Sequence, residues 1–395
     1  MKTWVEVSRE NILHNIKSLR SLLDLKEGGA QHSKPLFMAV VKSNAYGHGL
    51  EEVSKICAES GQVDWFAVDN IDEALILRQL KIEQPILILG YIPFARIIEA
   101  VENNISFVAY NTELLDYLTN LTPPNKEKLK IKIHIKIETG TSRQGIEGEE
   151  LLAFVKKANE IDNLVIEGLY THYANIEDTT DSTYAMEQLK RFNENISLLD
   201  SRLRGNDKEK WSDGVIKHSA CSAAFINYPE THFDMIRAGI SLYGMWSSNE
   251  AKLVAKQKNV NLELKPALTW QTQIVQIKKI PAGTPVSYGL TETVKRDSTI
   301  GIMPIGYWDG YDRGLSGIGE VLINGQRAKI LGRICMNMTV VDLTDIKEKN
   351  LFNGVVLLGQ SGSEYITAEE LAKKIGTINY EITTRINPLI KRIVK

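Results

Sequence analysis

Phe37-Met38-Ala39-Val40-Val41-Lys42-Ser43-Asn44-Ala45-Tyr46-Gly47-His48-Gly49 joins a short apolar run to a polar, glycine-rich turn, with a single lysine at the junction. The apolar part reads as a strand and the turn as its end. At the carboxyl end of a barrel strand a side chain points into the mouth of the fold, where active sites are built. A partly desolvated lysine amine in that position can condense with an aldehyde, and pyridoxal phosphate is the candidate. Taken alone, Val40-Val41-Lys42 also fits a solvated lysine that follows a strand.

Seven more strand-like runs accompany the one at residues 36–41, at 65–68, 86–89, 105–110, 131–137, 164–170, 215–218 and 233–236, with helical or loop stretches between them. Ahead of them, Ser8 is placed to cap a helix in which Ile12, Ile16, Leu19 and Leu23 recur at helical spacing. Eight strands alternating with helices predict an α/β fold beginning with a (β/α)8 barrel. An open doubly wound sheet would carry a phosphate-cradling glycine signature after its first strand, and no G-x-G-x-x-G stands in that context.

Beyond Ser248 the pattern changes to closely spaced strands, at 268–280, 299–303 and 321–334, and Asn324-Gly325 inside the last is a two-residue hairpin signal. One clear helix is expected there, where Thr367 and Glu370 form a capping box ahead of Leu371 and Ile375. The expected division is a barrel over residues 1–248 and a mostly β domain over 249–395. The charged stretches 200–213 and 250–265 read as a surface loop and a domain junction.

With 24% charged and 43% hydrophobic residues and a formal net charge of -2, the 395-residue chain has no basic field to draw nucleic acid or an anionic membrane. Met1-Lys2-Thr3-Trp4-Val5-Glu6-Val7 enters strand-like alternation directly, without an apolar signal-peptide core, and no span is long enough to cross a bilayer. Cys57, Cys221 and Cys335 are odd in number and unrelated in spacing, which suggests neither a disulfide framework nor a metal centre. A reducing, cytoplasmic setting is expected.

The string from Ala39 to Gly49 closely resembles the cofactor-lysine motif of bacterial alanine racemases. The resemblance continues, in the family's order, through Glu167-Gly168-Leu169-Tyr170-Thr171-His172, Ile236-Arg237-Ala238-Gly239-Ile240, Val286-Ser287-Tyr288-Gly289, Pro304-Ile305-Gly306-Tyr307, Gly332-Arg333-Ile334-Cys335-Met336 and Thr377-Ile378-Asn379-Tyr380-Glu381. It implies a cytoplasmic homodimer that uses pyridoxal 5'-phosphate to interconvert L- and D-alanine for peptidoglycan, each active site being shared between one barrel and the partner's β domain.

Racemisation removes the proton from an α-carbon and returns it from the opposite face, so two acid/base groups must flank the carbon. The resemblance assigns these roles to Lys42, which also holds the cofactor, and to Tyr288 from the neighbouring subunit. A free tyrosine has a pKa of about 10 and needs cationic neighbours to serve as a base near neutrality. His172, polarised by Arg237, is the expected coupling group. Arg237 is placed against the pyridine nitrogen, where an arginine donates a hydrogen bond without surrendering its proton, which keeps the ring a weaker electron sink. Tyr46, Tyr380, Ser222 and the amides of Gly239 and Ile240 are expected around the phosphate, and His218 beside the ring. Arg143 and the Met336 amide are expected on the substrate carboxylate. Tyr307 and Tyr380, with Arg313 and Arg333, match the residues that narrow the family's substrate entrance. Lys136 matches a position that is often carbamylated. Each of these residues, read singly, also fits a structural role.

Three departures fall near the expected substrate site: Asn337 and Cys221 replace the usual aspartate and asparagine, and Glu138-Thr139-Gly140-Thr141-Ser142-Arg143 replaces Asp-Thr-Gly-Met-Gly-Arg. They leave open a broad-specificity or serine racemase. A decarboxylase of the same architecture would pair the ring nitrogen with a carboxylate, against Arg237. A non-catalytic carrier of the cofactor would not need Tyr288, Arg333 and Tyr380.

Overall fold

After an amino-terminal strand, β1 (Thr3–Val7), and the helix Arg9–Asp24, the chain lays down eight short strands: β2 (Leu36–Val40), β3 (Trp65–Val68), β4 (Ile86–Ile88), β5 (Ser106–Ala109), β6 (Ile131–Lys136), β7 (Leu164–Tyr170), β8 (Ile216–His218) and β9 (Met235–Ala238). The structure, a computed structural model, describes residues 1–24, 34–121, 130–203, 211 and 214–395. Strands β2 to β9 pair in parallel in the order β8-β7-β6-β5-β4-β3-β2-β9. The two ends of that order meet through Asp234 N donating to Lys217 O at 3.0 Å and Arg237 N to Ala220 O at 3.0 Å, so the sheet closes into the expected barrel.

Helices follow the strands where the sequence provides caps. Asn70 Oδ1 accepts from Glu73 N at 3.0 Å and Asn111 Oδ1 from Leu114 N at 3.2 Å, each starting a helix in the connection to the next strand. In β6, Ile131, Ile133 and Ile135 lie on one face and Lys132, His134 and Lys136 on the other, as the period of two requires. The last expected barrel strand falls two residues later than residues 233–236, because Phe233 takes φ 47° and cannot extend. Arg237 consequently lies within β9 rather than after it.

Packing divides the chain into Ile12–Lys42 with Ser54–Lys265, and Met1–Asn11 with Ser43–Val53 and Pro266–Lys395. The expected single cut after residue 248 gives way to this division for two reasons. β1 belongs to the second unit because it pairs antiparallel with Leu268–Gln273 and parallel with Arg392–Val394. The expected junction at 250–265 begins instead as a helix, Asn249–Gln257, capped by Ser248 Oγ on Ala251 N at 2.9 Å, and it stays with the barrel. Its buried stripe of Ala251, Val254 and Ala255 is narrow and set among lysines, which hides the periodicity. Of the stretch 200–213, residues up to Arg202 end the helix Thr183–Arg202, and most of the rest lies outside the described residues.

The second unit is built on a ten-stranded sheet. Asn324 and Gly325, at φ 51° and 73°, turn the hairpin in which Ile323 pairs with Gln326, as the dipeptide predicts. The expected strand 268–280 is two, Leu268–Gln273 and Gln276–Ile280, on different neighbours. Thr367 caps its helix through Glu370 N at 3.0 Å, but the Glu370 carboxylate goes to Arg327 at 2.8 and 3.1 Å. A second helix, Asn379–Thr384, is too short to show periodicity in the sequence.

Candidate active site

Lys42 follows β2 by two residues, and the chain then makes a left-handed turn in which Ser43, Asn44, Ala45 and Tyr46 have φ of 56°, 55°, 51° and 52°. Each such residue costs roughly 1–2 kcal/mol, so four in succession persist only where surrounding bonds dictate the backbone. Within the second unit those bonds are present. Asn44 Oδ1 accepts from Leu50 N at 2.8 Å, and Gly47 N donates to Ser43 O at 3.1 Å. The buried Arg392 guanidinium grips Gly47 O at 2.9 and 3.1 Å together with the carbonyls of Ile386, Asn387 and Ile390. Gly47, at φ +84°, must be glycine, since a Cβ there would stand 1.9 Å from Thr383 O. The Tyr46 and Tyr380 rings, both expected at a phosphate, lie 6.0 Å apart in this unit.

The carboxyl ends of the barrel strands gather the rest of the cationic set. Lys42 Nζ lies 3.7 Å from Asp69 Oδ1, just past β3. Arg237 is almost fully buried, and both its terminal nitrogens are committed. Nη1 donates to His218 Nδ1 at 2.9 Å and His218 O at 3.2 Å, and Nη2 to Thr171 O and Ser219 O, each at 2.8 Å. His172 Nδ1 lies 3.4 Å from the same Nη2. Its pKa is held well below the usual range by burial and by the positive charges of Arg237, Arg143, Lys136 and Lys42. The neutral imidazole therefore offers Nδ1 as an acceptor. Arg237 Nε makes no hydrogen bond among the described residues.

Lys136 ends β6 and is 5% exposed. Burial, Arg143 and Arg237, with Lys42 adding and Glu138 opposing, push its amine down to about 8. Its Nζ donates to Gln144 Oε1 at 3.1 Å and sits 5.7 Å from the centre of the Tyr170 ring. The loop to Arg143 is wrapped around Glu138, whose carboxylate accepts from the amides of Gly140 at 2.5 Å, Thr141 at 2.6 Å and Arg143 at 3.2 Å. Burial works to raise the Glu138 carboxyl, but these amides hold it below its ordinary value. The departure from Asp-Thr-Gly-Met-Gly-Arg thus keeps a carboxylate at the centre of the loop.

Ser222 starts the helix Ser222–Asn227, and its Oγ accepts from Gly239 N at 3.0 Å and from Ser241 Oγ at 3.0 Å, beside the short helix Ile240–Tyr243. Ser222, Gly239 and Ile240 therefore share one corner of the mouth. Cys221, just before, turns its thiol toward Glu177 Oε2 at 3.9 Å, and burial with Glu177 pushes it up to about 12, which keeps it protonated and a poor nucleophile. Burial, then Asp178, raise the Glu177 carboxyl to about 7 against the pull of Cys221. A raised carboxyl stabilises the fold below the unfolded-state value, and that contribution disappears as pH rises from about 4.5 to about 7. Glu177→Gln is expected to flatten the dependence of denaturation midpoint on pH across this window, gaining about 2 kcal/mol at pH 8 after allowance for partial exposure. Equal slopes in the two proteins would refute it.

In the second unit Tyr288 sits at the tip of a small hairpin made by Pro285–Val286 and Glu292–Thr293, 73% exposed. Ser287 Oγ donates to Arg333 O at 2.5 Å, and a Cβ on Gly289 would meet the Arg333 guanidinium at 2.5 Å, so the tip and the 333–336 loop are packed together. Tyr307 N donates to Cys335 O at 3.1 Å, which adds Tyr307 and the exposed Met336 to the group, and Asn337 lies exposed in the turn closed by Cys335 N on Met338 O at 2.9 Å. Arg313 stands exposed on a separate short helix, Arg313–Leu315.

The chain as a whole, barrel and β unit together, matches proteins of known family. The alanine racemase N-terminal domain model matches residues 7–246 and the C-terminal domain model residues 267–394. The chain belongs to the alanine racemase family. The alanine racemase of Methanococcus maripaludis is 39% identical over 393 residues, covering 99% of this chain and 98% of that one, and that of Leptospira interrogans 36% identical over 395 residues, covering 99% and 95%. Among solved structures, the alanine racemase from Bacillus anthracis superposes with a TM-score of 0.88 at 35% identity, covering 100% of this chain and 95% of that one. The alanine racemase of Clostridium difficile 630 gives 0.87 at 30% identity, covering 100% and 96%.

The racemase motifs led to the residues at the strand ends but passed over those that hold them. Thr141 Oγ1 at 2.6 Å and Gln188 Nε2 at 3.2 Å both donate to the His172 carbonyl, and Gln188 Oε1 accepts from Ala174 N at 2.9 Å, fixing the chain on either side of the imidazole. Buried, uncharged and in the middle of a helix, Gln188 carries no signal in a single sequence. His134 was legible as a polar residue on the inward face of β6 but was not singled out.

Proposed function

We propose that this chain interconverts L- and D-alanine by a two-base proton transfer, with pyridoxal 5'-phosphate attached to Lys42, as a cytoplasmic homodimer that supplies D-alanine for peptidoglycan. The observation that carries the proposal is the binding of Arg237: four hydrogen bonds to barrel carbonyls and to His218 fix the guanidinium and leave Nε–H as the donor for a ring nitrogen. When bound, the cofactor supplies an electron sink for the charge left at the substrate α-carbon. An arginine partner donates to that ring without protonating it, which suits an enzyme that only moves a proton.

The remaining residues fit the same group. Ser222 offers a hydroxyl, oriented by the Gly239 amide that donates to its Oγ, Ile240 offers an amide to a phosphate, and Tyr46 and Tyr380 offer phenols. Arg143 supplies a planar cation for a carboxylate. Lys42 takes or returns the α-proton on one face and Tyr288 on the other. Tyr288, Leu290, Met336 and Met338 are 73%, 69%, 55% and 54% exposed. An apolar group of that kind around a reactive phenol favours burial by a second copy. The name of the Bacillus anthracis structure includes bound L-Ala-P, which supports alanine as the substrate class.

The direct test is the absorbance spectrum of the purified protein, borohydride reduction with peptide mapping, and an assay of L- to D-alanine conversion. Cofactor trapped on Lys42 together with conversion is the expected result. Trapped cofactor without conversion of alanine, but with conversion of serine, would favour the broader-specificity reading. A fully active monomer in sedimentation would contradict the shared site.

Lys136 is proposed to carry a carbamate. Its amine is brought down to about 8, so the neutral nucleophile becomes the main form above that pH. After the ammonium gives up one proton, attack of the neutral amine on carbon dioxide forms an N–C bond, moves one C–O π pair onto oxygen and releases a second proton, so that a cation becomes an anion beside Arg143. Carbon-13 bicarbonate should give a carbamate resonance that grows as pH rises through 8 and is missing from Lys136→Ala; its absence from the parent protein would exclude the modification.

A further inference from the structure

A buried hydrogen-bond series leads from Arg237 to a carboxylate that the racemisation reading leaves unused. Arg237 Nη1 lies 2.9 Å from His218 Nδ1, and because a guanidinium has no acceptor, this ring nitrogen must contribute its lone pair. Burial, then Arg237, keep His218 neutral, so its proton is on Nε2, which lies 2.9 Å from His134 Nδ1. His134 accepts there and carries its own proton on Nε2. That atom is buried, makes no hydrogen bond among the described residues, and has the Glu167 carboxylate as its neighbour, with Oε2 3.5 Å away. Glu167 also accepts from Ser106 Oγ and lies 3.4 Å from Lys132 Nζ. Every donor in the series points from the arginine toward the carboxylate, and both tautomers follow from the groups at the two ends.

The fold makes a specific place for this series. The β6–β7 register shifts so that Ile133 pairs with Ile166 and His134 with Gly168, which makes Glu167 the extra residue of a bulge. A Cβ at Gly168 would lie 2.2 Å from His134 Nδ1, so glycine is required for the imidazole to occupy its position. Trp65 packs edge-on to His134 at 5.3 Å and Tyr170 stacks on His218 at 4.9 Å. Barrel interiors are ordinarily filled by branched apolar side chains, and buried polar groups are costly unless satisfied.

We propose that His134 and Glu167 are positioning residues, which set the tautomer of His218 and through it the orientation of Arg237 at the barrel mouth. Its consequence for turnover rests on the assignment of Arg237 to the cofactor ring; the hydrogen-bond order does not. With glutamine at position 167, the side-chain amide can donate to His134 Nε2 and reverse the series. His218 Nδ1 would then carry a proton facing Arg237 Nη1, and the guanidinium would have to turn away.

The test is long-range proton–nitrogen NMR on the full-length protein with its seven histidines labelled, with and without added pyridoxal phosphate, and with kinetics on Glu167→Gln and Glu167→Asp. The parent protein is expected to show the Nε2–H tautomer at both His134 and His218 whether or not cofactor is present. Glu167→Gln is expected to move His218 to the Nδ1–H tautomer and lower kcat on the order of 10- to 100-fold at little change in KM, while Glu167→Asp restores the tautomer and most of the turnover. The parent spectra decide the first point even if a variant fails to fold. A doubly protonated or Nδ1-protonated His218 in the parent protein overturns the proposal, as does a reversed tautomer in Glu167→Gln with kcat within about twofold of the parent. Expected tautomers in a protein that binds no pyridoxal phosphate would refute the cofactor reading and leave the order of the series standing.

Discussion

Lys42→Ala is expected to lower L- to D-alanine conversion by at least about 10⁴-fold and to leave a dialysed protein without the absorbance of bound pyridoxal phosphate. Two roles are lost together, the covalent hold on the cofactor and the base on one face. The effect should be chemical rather than structural. Lys42 is partly exposed, its nearest ionic partner is Asp69 Oδ1 at 3.7 Å, and the left-handed turn after it is held by Asn44, Gly47 and Arg392, none of which depends on the lysine side chain. An exposed pair at that distance contributes about 0–1 kcal/mol, so the thermal midpoint should move little. Added methylamine should restore part of the turnover, since an amine in solution can replace the missing base. Retention of more than about a tenth of parental activity by the dialysed variant would remove Lys42 from the chemistry.

Tyr288→Phe is expected to separate proton exchange from inversion. In deuterated water the variant should still exchange the α-hydrogen of one enantiomer, through Lys42, while conversion to the other falls by about 10²- to 10⁴-fold. Tyr288 is 73% exposed at a hairpin tip, and loss of a hydroxyl from an exposed ring has little effect on folding. Unchanged racemisation would end the two-base reading and strengthen that of a non-catalytic carrier of the cofactor. Loss of exchange for both enantiomers, with cofactor still bound, would instead give Tyr288 a role in binding substrate.

How far the site was legible depended on the kind of residue. Lys42, Arg237 and Tyr288 belong to short glycine-containing strings whose order is specific, so each could be singled out as a candidate from the sequence. The strand count was legible because short apolar runs alternate with polar stretches at a regular spacing. Arg237 was placed after its strand rather than within it, because the positive φ of Phe233 delays β9 and nothing in that residue's type announces the backbone angle. The helix Asn249–Gln257 escaped notice because three small or β-branched residues form its buried stripe among lysines and a glutamine. Gln188, His134 and Arg392 were not identified as supports, since their partners are 16, 84 and 345 positions away in the chain.

The amino-acid sequence by itself determined the family and the order of barrel and β unit, and it supplied the candidates for the reactive side chains, because these reside in local strings whose chemistry is carried by residue type. Only the tertiary structure decided that β1 joins the carboxyl-terminal sheet, that Arg392 holds the left-handed turn after Lys42 while Thr383 O leaves room there only for glycine, and that His218, His134 and Glu167 form one ordered series behind Arg237. Hydrogen-bond direction depends on which lone pair meets which proton. That is settled by approaches of about 3 Å between residues far apart in the chain, which a linear order of side chains does not encode.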